Sequence, residues 1–405
     1  MKLGKRFVFI ALMVASSSYS YGQTYNGVLG QDDEDYMNTI TTAVPFLLIA
    51  PDARGGALGD AGAATSPDVY SMHYNPAKYA FIDKNVGFSV SYSPWLSQLV
   101  NDISLGYLTG YKKLDDDQVI AASLRYFSLG NIIFTDNVGQ DIGQFSPNEF
   151  AFDVAYSRKF SDYIGGAVAL RYIYSNLTGG IFVNGAQSKP GQSIATDVSA
   201  FYQKDIELGE IPSFLRVGMN VSNIGAKVSY TEIQYRSFIP INLRIGSSLT
   251  MDLDEFNQLM FTIDFNKLLV PTPPIYAEDS AGQPYKDDNG DYVIALGKDP
   301  DRSIVSGMFG SFSDAPGGFK EEMREINFAS GVEYWYDQQF ALRGGFFYEN
   351  KYKGNRKYIT LGAGLRYNVF GLDFSYLIPL EQRNPLENTL RFTLVFNFDK
   401  VKSTN

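Results

Sequence analysis

His73 is the only histidine in the chain, and the chain has no cysteine. A Ser-His-Asp triad or a zinc site would therefore have to be centred on this single residue. A lone histidine beside an aromatic residue, here Tyr74, is more often a packed side chain than a catalytic group or a metal ligand. The residue types thus give no support for hydrolytic, thiol or zinc chemistry.

Two short motifs superficially indicate bound cofactors. Gly56, Gly59 and Gly62 follow an apolar run, but their spacing is GxxGxxG and lacks the GxG of a dinucleotide-binding loop. Asp287–Asp291 is similar to a calcium loop, yet tyrosine and leucine occupy its first and last ligand positions. We interpret it as a solvated turn. We therefore expect no cofactor, no metal and no enzymatic activity.

The first 22 residues are typical of a secretory signal peptide. Three basic residues within the first six positions precede the apolar run Phe7–Ala15, and small residues follow near a cleavage position before Gln23. Removal of these three basic residues would take the formal charge from −10 to −13. A nucleic acid is therefore a poor candidate for a partner.

The rest of the chain is dominated by alternation with a period of two residues. The chain has 405 residues, of which 15% are aromatic and 19% charged, which favours one large β-rich domain. In 148–159, Phe150, Phe152, Val154 and Tyr156 lie on one predicted face, and smaller or polar residues lie on the other. The final segment, Leu390–Phe398, alternates in the same way. Fourteen such segments are present, centred near positions 90, 107, 124, 154, 170, 199, 218, 244, 262, 331, 345, 362, 374 and 394.

The lengths of the connections between these segments also alternate. Connections after even segments are short, as at 159–162, 252–255 and 337–339, whereas those after odd segments are mostly long. No apolar run after the signal segment approaches the roughly 20 residues that a transmembrane helix needs, so residence in a membrane requires a barrel. Short periplasmic turns and long external loops are typical of outer-membrane barrels, and a soluble sandwich does not explain this alternation. The prediction is an all-β membrane protein with a 14-stranded antiparallel barrel over 85–398 and a tail at 399–405.

Charged side chains occupy the predicted inward face of the barrel. Both signs are present, and lysine is absent from this set. Because arginine can bridge several partners at once, we expect a cross-linked, filled interior rather than a selectivity lining of one sign. The set is Asp153, Asp197, Asp264, Glu333, Asp373, Arg171, Arg216, Arg244, Arg343, Arg366 and Arg391.

The segment 44–84 does not alternate and is predicted to be a hatch that plugs the barrel, after a periplasmic segment at 23–43. Its apolar start favours burial over a surface loop, and its glycines and prolines favour a compact irregular structure. Asn75 is expected to cap local backbone groups, with Pro76 holding the turn into the first strand. The predicted hatch motif is Arg54, Gly55, Gly56, Gly59, Asn75, Pro76 and Ala77.

The connection 267–324 is far longer than the roughly 12 to 15 residues beyond which loops are usually functional or disordered. Its first half, rich in proline and aspartate, is typical of a mobile segment. Its second half carries apolar residues at helical spacing, which need a partner surface on another protein or on the barrel rim. These residues are Ile304, Val305, Met308, Phe309 and Phe312.

The hatch resembles that of the FadL-like outer-membrane barrels, which carry an Asn-Pro-Ala motif, here Asn75-Pro76-Ala77. The runs VPFLLIAPDAR at 44–54 and NPAKYAF at 75–81 resemble more closely the N-terminal signature of the PorV family of the type IX secretion system. The resemblance is specific in the hatch and generic in the strands.

The resemblance implies residence in outer-membrane lipid and a role as a protein-binding shuttle. Such a shuttle collects cargo bearing a C-terminal secretion domain at the SprA (Sov) translocon and delivers it to the PorU sortase attachment complex. Two alternatives stay open: a FadL-like channel that admits hydrophobic compounds, and a lipid A deacylase, for which the residues offer no catalytic constellation.

Overall fold

The structure is a computed structural model that describes residues 37–96, 102–135, 141–179, 182–183, 186–231, 236–280, 282–381 and 384–399. The predicted signal peptide at 1–22, residues 23–36 of the predicted periplasmic segment, and 400–405 of the tail lie outside these described residues.

Within the described residues, fourteen strands close into one antiparallel barrel, in which the first strand pairs with the last. All fourteen predicted segments are strands of this barrel, and the predicted fold class is confirmed. The barrel strands are β1 (Val86–Pro94), β2 (Ile103–Lys113), β3 (Gln118–Leu129), β4 (Asn148–Lys159), β5 (Ile164–Asn176), β6 (Gly191–Leu208), β7 (Ile211–Gly225), β8 (Asn242–Asp252), β9 (Asn257–Leu268), β10 (Asn327–Tyr336), β11 (Phe340–Tyr348), β12 (Lys357–Tyr367), β13 (Phe370–Pro379) and β14 (Leu390–Phe398).

The alternation of side chains separates the outer surface of the barrel from its lumen. In β4, Phe152 and Val154 are exposed on the outside, whereas Asp153 and Ala155, which alternate with them, are buried. Successive side chains of a strand point to opposite faces, so an apolar outer face places the polar residues inside. The inward and outward assignments made from the sequence are therefore confirmed for this strand.

The two ends of the barrel differ in the length of their connections. We call the end with the connections 114–117, 160–163, 209–210, 253–256, 337–339 and 368–369 the short-turn end. The opposite, long-connection end carries 130–147, 177–190, 226–241 and the longest connection, 269–326, which was predicted as 267–324. Small hairpins lie in these connections, for example Ile132–Thr135 with Asp141–Phe145.

The hatch fills the lumen with short helices rather than with the irregular chain that the composition favoured. It contains the 3-10 helix Pro45–Leu48, the helices α1 (Ala53–Ala57) and α2 (Ser71–Tyr74), and the 3-10 helix Pro76–Phe81. Asp52 begins α1 by accepting a hydrogen bond from the Gly55 backbone N–H at 2.8 Å. Local capping therefore forms helical turns despite the glycines. Among the described residues, no helix combines the length and apolar character needed to cross a membrane.

Residues 37–43 lie at the long-connection end of the barrel. The Asn38 backbone N–H donates to the Tyr352 carbonyl at 3.1 Å, and the Asn38 side-chain amide donates to the Pro273 carbonyl at 3.0 Å. Ala43 donates to the Phe238 carbonyl at 2.8 Å. The two predictions of periplasmic short turns and of a periplasmic position for 23–43 are therefore inconsistent with each other for residues 37–43. These residues are held by hydrogen bonds to backbone carbonyls of the long connections.

Candidate functional site

Two glycines of the hatch, Gly55 and Gly62, pack against the Tyr74 side chain. A Cβ atom added at Gly55 would overlap the Tyr74 hydroxyl, and one added at Gly62 would overlap its ring. Glycine is therefore needed at both positions because the chain passes directly over an aromatic ring. Close backbone approach, rather than phosphate binding, accounts for the glycine spacing.

Gly59 has a different requirement, because its neighbour is the backbone of the barrel wall. Its φ is +69°, and an added Cβ would lie 2.5 Å from the Phe346 carbonyl oxygen in β11. A backbone neighbour cannot rotate away as a side chain can. Gly59 thus sets how closely the hatch sits against the wall.

We expect Gly59→Ala to unseat this part of the hatch and to lower the urea concentration at which the barrel unfolds. The matched control is Gly209→Ala, where φ is also +69° but nothing lies within 4 Å of the added Cβ. The control carries only the cost of the left-handed backbone, roughly 1 to 2 kcal/mol. Equal unfolding midpoints for the two variants would contradict the close contact between Gly59 and β11.

A buried ion-pair network joins the hatch to the barrel. Arg54 of α1 donates from Nε and Nη2 to the Glu333 carboxylate at 2.9 and 2.7 Å, and from Nη1 to Asp68 at 2.7 Å. Glu333 also accepts from Arg343 Nε at 2.6 Å, and Arg343 in turn pairs with Asp373 at 2.8 Å. The forked guanidinium of Arg54 thus connects two hatch segments to strand β10.

Backbone groups of the hatch are satisfied by side chains of the barrel wall. Asp264 accepts from the backbone N–H groups of Gly62 and Ala63 at 2.7 and 2.8 Å. Thr360 accepts from the Gly59 N–H at 3.0 Å and donates to the Ala57 carbonyl at 2.9 Å. Because buried backbone groups need partners, these contacts hold the plug in one position.

Asn75-Pro76-Ala77 forms a capped turn, as predicted. The Asn75 side-chain oxygen accepts from the Ala77 N–H at 3.0 Å, and the Asn75 side-chain amide donates to the Ala63 and Ala200 carbonyls at 2.9 and 3.0 Å. Pro76 is the first residue of its 3-10 helix, where a missing N–H costs nothing. The asparagine therefore joins the turn both to the hatch and to strand β6.

His73 is a packed side chain inside the hatch. Its Nδ1 lies 2.7 Å from Arg125 Nη2, and the same guanidinium donates to the Leu47 carbonyl at 2.7 Å. Burial, followed by the charge of Arg125, lowers the pKa of His73 well below its ordinary value, so the neutral ring accepts from Arg125. Within the described residues, no group of three or more His, Cys, Asp or Glu side chains is arranged to hold a metal ion.

Other lumen charges are also cross-linked, as expected for a filled interior. Arg171 pairs with Asp153 and, at 3.0 Å, with Asp197. Lysine is absent from the predicted inward strand positions, but Lys78 of the hatch and Lys267 near the end of β9 are also buried. Lys78 belongs to the plug and Lys267 to the rim, and the strand pattern alone did not include either position.

The helical spacing predicted in the longest connection is confirmed by helix α3 (Ile304–Gly310). Ile304 and Met308 pack against the apolar cluster that contains Phe46 and Phe238. Val305 and Phe309 face outward instead, so the predicted apolar stripe is divided between the barrel cap and the surface. Sequence spacing identified the helix but not which side of it is free.

A second short helix, α4 (Gly318–Arg324), adds apolar side chains that the sequence analysis missed. Phe319 and Met323 are 80% and 52% exposed, and their spacing of four residues was the available signal. We define the loop apolar set as the exposed apolar residues in and beside α3 and α4. Its members are Val305, Phe309, Phe312, Phe319 and Met323.

Buried ion pairs hold this connection on the rim of the barrel. Lys267 Nζ lies 3.0 Å from Glu322 and 2.5 Å from Glu325 of the α4 region. Lys353 reaches the same Glu325 at 2.9 Å, and the Thr272 hydroxyl donates to it at 2.7 Å. The connection is thus a folded cap that still presents apolar residues to the outside.

The first half of the connection also has regular structure. Ile275–Tyr276 pairs with Ile294–Leu296 in a small hairpin, where a mobile segment was expected. The exposed run 287–291 at its tip is a hydrogen-bonded turn, since the Asp287 carboxylate accepts from the backbone N–H of Asn289 at 2.9 Å. This agrees with the interpretation of the run as a solvated turn.

No curated protein matches the chain. Among solved structures, the toluene transporter TbuX of Ralstonia pickettii is similar at 10% identity and a TM-score of 0.47, covering 87% of this chain and 100% of its own. The toluene transporter TodX of Pseudomonas putida has 12% identity and a TM-score of 0.46, covering 89% and 98%. A FadL homologue of Pseudomonas aeruginosa has 11% identity and a TM-score of 0.43, covering 89% and 99%.

The family comparison is more specific. Residues 31–275 match the family described as "Type IX secretion system protein PorV". This match takes in the hatch and the first nine barrel strands, and it spans more than half of the 405 residues. The chain therefore belongs to the PorV family of type IX secretion system proteins.

Proposed function

We propose that this protein is the shuttle of a type IX secretion system. In this proposal it binds cargo with a C-terminal secretion domain at the SprA (Sov) translocon and delivers it to the PorU-containing attachment complex. Family membership and the closed barrel identify an outer-membrane protein of this secretion system. The shuttle role, the translocon and the attachment complex are what we propose in addition.

The observation that carries the proposal is the exposure of the loop apolar set. Phe309 and Phe319 are 75% and 80% exposed on two helices that buried ion pairs hold on the rim. On a connection outside the barrel strands, a group of exposed apolar side chains favours a surface for another protein. They lie at the long-connection end, and long connections are typical of the external side of outer-membrane barrels, where cargo and translocon would be met.

The state of the lumen favours a binding role over a channel for hydrophobic compounds. Hatch groups are hydrogen-bonded to strands around the barrel, for example through Glu333, Thr360 and Asp264. A passage through the barrel would require breaking these buried contacts, each of which costs free energy. The proposal accordingly assigns no transport and no catalysis to the barrel itself.

The test is the double variant Phe309→Asp and Phe319→Asp. We expect a heat-modifiable barrel in the outer membrane, because exposed substitutions change the free energy of unfolding by only about 0.5 kcal/mol. Co-purification of the translocon or of cargo should fall sharply, and surface proteins should be lost from the secretome. Point variants are preferable to deletion of the loop, since deletion would remove Thr272 from the buried ion-pair cluster.

Phe160→Asp is the matched control, because Phe160 is 68% exposed in the short turn 160–163 at the other end of the barrel. It should leave co-purification and surface display unchanged. Normal display and normal co-purification in the double variant would contradict the assignment to this connection. Recognition would then have to be sought in the connections 130–147, 177–190 or 226–241.

A further inference from the structure

A chamber of about 590 Å³ lies between the hatch and the short-turn end of the barrel. Asp68 and Tyr70 of the hatch line one side, and Arg216 and Trp335 of the barrel strands line another. Gln338 of the short turn 337–339 also contributes to the lining. The volume is within the range of small-molecule sites, roughly 300 to 1,000 Å³.

Most of the cationic groups around this chamber already have carboxylate partners. Arg54 is paired with Glu333 and Asp68, as described above. The Arg366 guanidinium lies 2.6 Å from the Asp373 carboxylate. At the edge, Lys84 lies 2.8 Å from Asp399, and its exposed neighbour Asp83 adds a negative charge. The positive charges of Arg54, Arg366 and Lys84 are therefore already neutralised and do not favour binding of an anion.

Arg216 is different, because it is only 6% exposed and its hydrogen-bond acceptors are neutral. Its Nε donates to the Gln203 side chain at 2.9 Å, and its Nη1 donates to the Thr250 hydroxyl at 2.7 Å. Within the described part of the chain, Nη2 makes no hydrogen bond and no carboxylate lies within 4.0 Å of this guanidinium. The neighbouring acids Asp205 and Asp252 stay beyond that distance.

A buried charge without a counter-ion is costly unless something neutralises it. The surroundings of Arg216 also contain apolar surface. Its guanidinium carbon lies 4.9 Å from the centre of the Phe214 ring, and Phe214, Trp335 and Val395 all line the chamber. The chamber therefore combines one unneutralised cation with apolar walls.

We propose that the chamber binds an amphipathic anion, a compound that carries a carboxylate or phosphate on an apolar body. The oxyanion lies against the Arg216 guanidinium and accepts a charge-assisted hydrogen bond from its Nη2. The apolar body packs on Phe214 and Trp335. Because the hatch closes the lumen above the chamber, the compound enters and leaves at the short-turn end and does not pass through the barrel.

The experiment uses Trp335 as the reporter. The chain has two tryptophans, so Trp95→Phe leaves Trp335 as the only one. The purified full-length mature protein in detergent is titrated with para-bromobenzoate, whose heavy atom quenches tryptophan fluorescence. We expect saturable quenching that inorganic phosphate alone displaces weakly. Adding Arg216→Gln should weaken binding about tenfold or more, as expected for loss of a hydrogen bond to a charged group.

Arg158→Gln is the charge-matched control, since Arg158 is exposed on the outer face of β4 and should leave the titration unchanged. The neutral para-bromobenzyl alcohol tests the anionic part of the proposal in the protein with Arg216 intact, even if Arg216→Gln does not assemble. Equal binding of the alcohol and the acid, or an unchanged affinity in Arg216→Gln, would overturn the proposal. Binding of inorganic phosphate as tight as that of para-bromobenzoate would overturn the role of the apolar walls.

Discussion

Replacing Glu333 with glutamine is expected to lower the free energy of unfolding by about 3 kcal/mol, the lower end of the range for breaking a buried ion pair. The carboxylate is 1% exposed and accepts from both Arg54 and Arg343. Glutamine would turn an N–H₂ group toward a guanidinium and remove the negative charge. The loss stays at the lower end because Arg54 keeps Asp68 and Arg343 keeps Asp373.

The effect of Glu333→Gln can be measured as the urea concentration at which purified protein loses its heat-modifiable migration. Because Glu333 belongs to the wall and Arg54 to the hatch, a loosened plug should also increase conductance across planar bilayers. Glu381→Gln is the control, since this half-exposed carboxylate lies 3.4 Å from Lys357 and contributes under about 1 kcal/mol. An unchanged urea midpoint in Glu333→Gln would mean that other contacts hold the hatch.

Leu394→Arg is expected to cost about 2 to 4 kcal/mol, because an arginine would face lipid near the middle of the bilayer. Leu394 is the central residue of β14 and pairs with Val90 of β1 and with Leu372 of β13. All three side chains are exposed on the outside of the barrel. The variant should therefore accumulate less folded barrel in the outer membrane, as measured by heat-modifiable migration.

Val369→Arg separates the effect of depth from that of the added charge. Val369 is 45% exposed in the two-residue turn 368–369, near the water interface, where an arginine costs roughly 0 to 1 kcal/mol. Assembly of this control should be close to normal. Normal assembly of Leu394→Arg as well would mean that the face containing Leu394 does not meet lipid.

The strands, their inward faces and the alternation of connection lengths could be predicted because each depends on residues close together in the chain. A barrel strand has to be apolar on one side and polar on the other, and that requirement has a period of two residues. The capped turn at Asn75 was predictable for the same reason, since its main hydrogen bond reaches only to Ala77. Helical spacing likewise identified α3.

The pairing of distant groups could not be read from the sequence. Arg54 and Glu333 are 279 positions apart, and many inward arginines and carboxylates were equally plausible partners. Their contact depends on the register of the strands and on the depth of the hatch in the lumen. Strand register also explains why Arg216 has no carboxylate partner among the described residues. That absence could not be read from the sequence either, since it depends on which side chains the folded barrel places beside the guanidinium.

The amino-acid sequence by itself determined the barrel, the capped turn at Asn75 and the presence of a helix in the long connection, since local periodicity and local capping carry that information. The tertiary structure decided which side of α3 is exposed, because that depends on the cluster containing Phe46 and Phe238 against which Ile304 and Met308 pack. It also decided that 37–43 lie at the long-connection end. These outcomes depend on which distant surfaces meet when the barrel closes, and a pattern with a period of two residues does not encode them.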